Sequence, residues 1–145
     1  MKSKYYKLRH WLLATATGLL GVNMGCDFPV EYGCPTADYE VKGRVATQDD
    51  VPIKGVKVSL DNRYYFYASD TTDADGRYYL NFSKVPIDGD TFKVYYTDID
   101  GEANGSYTDT TVSVVFHLSD LQGGDGHWYK GRATKVVDVR LKEEE

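Results

Sequence analysis

Cysteine is almost missing from this chain of 145 residues, which carries only Cys26 and Cys34. Two thiols cannot supply the thiolates that an iron–sulfur cluster takes, and they stand too far from any histidine to make a zinc site with one. Excess positive charge is missing too. Lys and Arg number 17 against 22 Asp and Glu. Residues 1–25 hold Lys2, Lys4, Lys7 and Arg9 and no carboxylate, so the remainder sets 13 cations against 22 acids, a net of −9. A body this acidic gives no electrostatic basis for phosphate-backbone contacts, and no nucleic-acid partner is expected. No helical period and no internal repeat follows Cys26. Nor is there a nucleophile elbow, a phosphate-cradling glycine loop or a zinc-spaced histidine pair. With no nucleophile, base and orienting group in view, the chain is expected not to be an enzyme and to hold no cofactor.

A long membrane span is also lacking. The apolar run Trp11–Met24 is about fourteen residues, short of the roughly 20 that cross a bilayer and suited to the core of a signal peptide. It follows a cationic stretch and ends at Gly25-Cys26. This reads as a lipoprotein signal, residues 1–25, cleaved before a Cys26 whose thiol carries the lipid. Asn23 and Met24 depart from the usual Leu and small residue of a lipobox, so ordinary secretion and an uncleaved anchor stand as alternatives. Residues 26–38 read as a tether, with Pro29 and Pro35 keeping the chain extended. If Cys26 is lipidated, Cys34 is a lone buried or free thiol; if not, the two can close a disulfide loop. The expected address is the cell envelope, lipid-anchored on its periplasmic side or at the surface, with the membrane as partner through Cys26.

What is abundant is tyrosine, with 13 residues, and glycine, with 14. Together with valine, threonine and aspartate they suit pleated, half-buried strands joined by tight turns. Alternation marks strands over Tyr39–Ala46, Val56–Leu60, an aromatic Asn62–Thr72, Tyr78–Ser83, Phe92–Thr97, Thr111–Leu118 and Lys135–Leu141. In the last, Val137, Val139 and Leu141 face inward; in the one before, Val112 to Leu118. Asp73–Gly76 (DADG) reads as a hairpin turn, and Gln122–Gly131 as a flexible Gly-rich stretch. The prediction is an all-β sandwich of about seven strands over residues 39–142, followed by an acidic tail at 143–145.

Two stretches carry a resemblance. VKGRV…VPIKGVKVSL followed by TTDADGRYYL, with Thr72, Asp73, Gly76 and Tyr78 at the marker positions, resembles the carboxypeptidase regulatory-like domain. That implies a Greek-key, transthyretin-like β-sandwich. The junction EYGCPTADYEVKGRV, the loop DIDGEANGSY and the tail WYKGRATKVVDVRLK resemble a narrower group, the radical SAM-associated lipoproteins of Bacteroides-like bacteria. That resemblance implies a radical SAM enzyme encoded nearby and makes the chain its substrate or accessory protein, as an alternative to an envelope interaction module.

Two candidate sites remain. In the loop Asp98–Asp109, Asp98, Asp100, Glu102 and Asp109 space their oxygens like calcium ligands. Ala103 stands where such a loop has Gly, Asp109 where it has Glu, and strands flank it, so a solvated acidic loop is the competing account. Calcium-assisted adhesion or glycan binding goes with the metal reading. Separately, alternation turns about half of the tyrosines outward, and Tyr65, Tyr67, Tyr79 and Tyr95 form the candidate binding surface for an envelope protein or glycan. Cross-strand packing explains the same residues without a ligand.

Overall fold

Val, Tyr and Phe at every second position draw the chain into extended segments, because one apolar face can then be buried while the other stays wet. A computed structural model describes residues 33–61, 68–101 and 103–144. Residues 1–32, which include the segment read as a signal, Cys26 and most of the expected tether, lie outside the described residues, as do residues 62–67, Glu102 and Glu145. The described strands are β1 (Thr36–Ala46), β2 (Val56–Leu60), β3 (Ser69–Thr71), β4 (Arg77–Lys84), β5 (Asp90–Asp98), β6 (Thr110–Phe116), β7 (Tyr129–Val136) and β8 (Val139–Arg140).

The strands form two sheets. In the first, β1 lies between antiparallel β4 and parallel β7, with β8 continuing the parallel pairing at its far end. The second is antiparallel in the order β3-β2-β5-β6. Their inner faces make one core. Tyr39, Val41 and Val45 of β1 and Tyr78 and Leu80 of β4 meet Val56, Val58 and Leu60 of β2, Phe92, Val94 and Tyr96 of β5, and Phe116 of β6. At one end Tyr39 stacks on Phe82 (ring centroids 5.4 Å apart) and takes the edge of Phe116 at 5.1 Å. Burying each such side chain stabilises the fold by roughly 1.5–3 kcal/mol before entropy is counted. The fold is therefore an all-β sandwich, as the alternation predicted.

Tyr78 joins the sheets by polar contact. Its hydroxyl donates to the Val137 carbonyl at 2.7 Å and lies 2.8 Å from the Tyr96 hydroxyl. Beside it, a Cβ on Gly43 would sit 2.0 Å from the Val137 oxygen, so only glycine lets β1 pass the link between β7 and β8.

Four details differ from the expectations. The Asp73–Gly76 turn is tight, with Asp73 Oδ1 accepting from the amides of Asp75 and Arg77 and Gly76 at φ 72°. It joins no hairpin, however: β3 pairs with β2 and β4 with β1, so the turn carries the chain between sheets. Leu118, expected inward, is 48% exposed, because β6 ends at Phe116 and a 3-10 turn follows over Leu118–Asp120. Strand pairing begins earlier than the alternation suggested, at Thr36 for β1 and at Tyr129 for β7, where Thr36 N–H donates to the Trp128 carbonyl at 2.8 Å. Last, the Gly-rich stretch is not a free loop. Gln122 exchanges two backbone hydrogen bonds with Arg132, and Asp125 Oδ1 accepts from the amides of His127 and Tyr129.

Candidate functional site

The outward residues of β4, β1 and β7 form rows across the first sheet. Register sets Ser83, Asp38 and Arg132 in one row, Asn81, Glu40 and Thr134 in the next, and Tyr79, Lys42 and Val136 in the third. Period-two alternation places them all on the outer face, because their neighbours Tyr39, Val41, Leu80 and Ala133 are buried.

Two carboxylates organise the first two rows. Asp38 accepts from the Ser83 hydroxyl at 2.5 Å and the Tyr129 hydroxyl at 3.0 Å. Glu40, whose side chain is only 13% exposed, accepts from the Tyr79 hydroxyl at 2.6 Å and the Thr134 hydroxyl at 2.9 Å. Arg132 spans both, 3.3 Å from Glu40 and 3.6 Å from Asp38. Hydrogen bonds to the ionised form favour it. The Ser83 hydroxyl, then Tyr129 and Arg132, hold the Asp38 carboxyl below the usual range, although its partial burial works against them. The Tyr79 hydroxyl, then Thr134 and Arg132, do the same for Glu40. In return Glu40 pushes the Tyr79 phenol up and Asp38 that of Tyr129. This half of the face is ordered and internally satisfied.

The third row differs. Tyr79 is 45% and Val136 68% exposed, and they flank Lys42, whose ammonium has no hydrogen-bond or ion-pair partner among the described residues and acts on Glu40 through charge alone. Beyond it Arg44 stands directly opposite Arg77. Arg44 turns to Asp50 at 3.2 Å, while Arg77 reaches Asp75 only at 3.8 Å between two exposed side chains. The depression bounded by Tyr79, Lys42, Val136, Arg44, Arg77 and Asp138 is therefore apolar at its floor, and its rim sets three cations against the one carboxylate of Asp138.

The structure divides the tyrosines that the sequence grouped. Tyr79 lies on the outer face of the first sheet and Tyr95 on that of the second, opposite Ser59 and Thr111. Outer faces of a sandwich point away from each other, so these two cannot belong to one surface. Tyr65 and Tyr67 lie outside the described residues. In the acidic loop, which joins β5 to β6, Asp98 accepts from the amides of Tyr107 at 2.9 Å and Asp100 at 3.3 Å. Asp109 accepts from the Asp98 amide at 3.2 Å, and Asp100 is bonded to the Asn104 amide group. These carboxylates close their own loop. Among the described residues no group of three or more His, Cys, Asp or Glu side chains is placed to hold a metal ion. Cys34 is a free, exposed thiol.

The resemblance motif builds the core rather than the face. Thr72, buried, accepts from the Val56 amide at 3.0 Å and donates to the Ile53 carbonyl at 2.8 Å, and Tyr78 makes the inter-sheet contact. Sequence reasoning had Glu40 and Lys42 facing outward but left Asp38 in the tether and Arg132 unassigned. Their contacts span 39 to 94 residues, and no local pattern announces a partner so far away.

No protein-family model matches the chain, and no curated protein does. Solved structures do match. One is a 5-hydroxyisourate hydrolase of Klebsiella pneumoniae, 16% identical over 72% of this chain and 86% of that one, with a TM-score of 0.43. A variant of the catechol 1,2-dioxygenase of Acinetobacter radioresistens is 13% identical over 77% of this chain and 53% of its own, with a TM-score of 0.50. The pilus 2b backbone protein of group B streptococcus is 14% identical over 83% and 46%, with a TM-score of 0.43. The likeness is one of fold. These neighbours are transthyretin-like, which agrees with the two-sheet sandwich described above. They also correct one expectation. The dioxygenase among them is an enzyme with this fold, so the lack of a local catalytic motif does not make the chain a non-enzyme; the likeness assigns it no activity either.

Proposed function

We propose that the chain is a lipid-anchored envelope protein whose sandwich presents the outer face of the β4-β1-β7 sheet as an interaction surface. The observation that carries the surface is the preorganised set Asp38, Glu40, Tyr79 and Arg132. Side chains already held by one another lose little further freedom when a ligand docks, and beside them lie Lys42, without an ion-pair partner among the described residues, and the exposed Tyr79 and Val136.

The anchor rests on the sequence alone. The cation-only flank, the short apolar run and Gly25-Cys26 support lipid on Cys26, and two acyl chains give stable attachment at roughly 0.8 kcal/mol per buried methylene. Metabolic labelling with a fatty acid tests this. The native chain is expected to take up label and Cys26→Ala to remain unlabelled at precursor mass. Label retained by Cys26→Ala overturns the reading. Intact mass of the native protein reads out the alternative in the same experiment: mass beyond signal removal and lipid marks the chain as the substrate of a modifying enzyme.

A further inference from the structure

The cationic end of the face is anomalous on this molecule. After residue 25 acids outnumber cations 22 to 13, yet Lys42, Arg44 and Arg77 stand together with two of them directly opposite. Like charges facing each other across a strand pair destabilise it. Asp50 compensates Arg44 at 3.2 Å and Asp138 accepts from the Arg44 amide, but among the described residues Lys42 has only the charge of Glu40 beside it, with no ion pair, and Arg77 only a distant exposed partner. With Arg44 paired to Asp50, Lys42 and Arg77 still outnumber the one carboxylate of the lining, Asp138, and an anion held between those two cations relieves their repulsion.

The floor defines another. The Tyr79 hydroxyl is tied to Glu40 on the neighbouring strand, so the ring leans over β1 instead of standing off the sheet. It offers a ring face beside the exposed Val136. Peptides that bind sheets usually pair with an edge, where backbone groups are open. This depression lies over β1, the central strand, whose backbone is engaged by β4 and β7. Side chains alone must recognise the ligand, through a flat apolar face and an anion held at its margin.

We propose that the depression at Tyr79, Lys42, Val136, Arg44 and Arg77 binds a carboxylate-bearing sugar, a hexuronic acid unit of an acidic glycan. The C–H face of the sugar ring stacks on Tyr79, its carboxylate meets Lys42 and Arg77, and its hydroxyls reach Glu40 and Asp138. This inference rests on the reading of the face as an interaction surface and names its ligand class.

The test is a calorimetric titration of the full lipidated chain in detergent micelles with tetragalacturonate, cellotetraose and hexaglutamate. Tetragalacturonate is expected to bind, and the neutral cellotetraose about tenfold more weakly. Hexaglutamate is expected not to bind. Lys42→Gln, which breaks no hydrogen bond or ion pair among the described residues, is expected to weaken tetragalacturonate by about fivefold, the scale of one exposed ion pair. Tyr79→Leu is expected to cost at least about tenfold, whereas Tyr79→Phe retains the ring and most of the affinity. No binding of tetragalacturonate at millimolar concentration overturns the inference, as does unchanged affinity in Lys42→Gln. Equal binding of hexaglutamate also overturns it and identifies an acidic protein partner instead. The failures are separable: lost sugar binding with Cys26 labelling intact leaves the lipid-anchored reading standing, and the converse result leaves the sugar site standing.

Discussion

Tyr78→Phe removes one oxygen from the contact that joins the two sheets and changes almost no volume. The hydroxyl has a single proton, and the Val137 carbonyl, 2.7 Å away, has none to offer. The proton of Tyr78 therefore goes to Val137, and Tyr96 must donate to Tyr78 across 2.8 Å. Deleting the Tyr78 oxygen strands both a carbonyl and a buried hydroxyl donor. Deleting that of Tyr96 strands only a second lone pair on Tyr78. An orphaned buried group costs about 1–3 kcal/mol, and the contact to the Val137 carbonyl is only partly buried, so about 2 kcal/mol is expected for Tyr78→Phe. Tyr96→Phe should cost about half as much. In thermal terms the first is a loss of roughly 8 °C for a domain this size. Urea unfolding followed by tryptophan fluorescence measures both, with unchanged m-values as the sign that the unfolded state is unaffected. Burial also drives both phenols upward, that of Tyr96 to about 12, so neither should ionise in an absorbance titration until strongly alkaline pH. Equal losses in the two variants, or a loss below about 0.5 kcal/mol in Tyr78→Phe, would refute the assigned proton direction.

Two further perturbations probe the frame and the face. Gly43→Ala places a methyl against the Val137 carbonyl and should cost about 3 kcal/mol or more by equilibrium denaturation. Gly89→Ala, which meets nothing within 4 Å and bears only the strain of φ 70°, should cost about 1 kcal/mol; equal costs would rule out the close approach as the cause. Asp38 and Glu40 titrate below their ordinary range in the folded chain, so the folded state binds fewer protons than the unfolded one. Their contribution is complete above the usual carboxylate range and is lost as pH falls below about 4. Glu40→Gln should flatten that acid limb in urea melts, and an unaltered pH profile would remove the network from the account.

The strands were legible because burial of one face imposes a period of two, which a single pass along the chain can see. Val56–Leu60 matches β2 residue for residue, and Tyr78, Leu80, Phe92, Val94 and Tyr96 all face the core as alternation required. The turn at Asp73–Gly76 was legible too, since Asp73 and Gly76 act through neighbours within four residues. What alternation cannot state is which sheet a strand joins. Tyr79 and Tyr95 have the same local pattern and yet face opposite sides of the molecule, and the same turn reads as a hairpin until its two strands are seen to part.

The candidate face belongs to that second kind of knowledge. Glu40 and Lys42 are visibly outward in the sequence, but Asp38, Tyr79, Tyr129 and Arg132 become one network only when β1 is inserted between β4 and β7. For the loop carboxylates, spacing suggested a ligand set of Asp98, Asp100, Glu102 and Asp109; Glu102 lies outside the described residues, and tertiary structure adds the bonds that Asp98, Asp100 and Asp109 make within their own loop. Composition and periodicity, acting over a few residues, determined the fold class, the strand positions and the expectation of a lipid anchor. Tertiary structure alone decided the site, because hydrogen bonds and charges act between residues that pairing brings together from up to 94 positions apart.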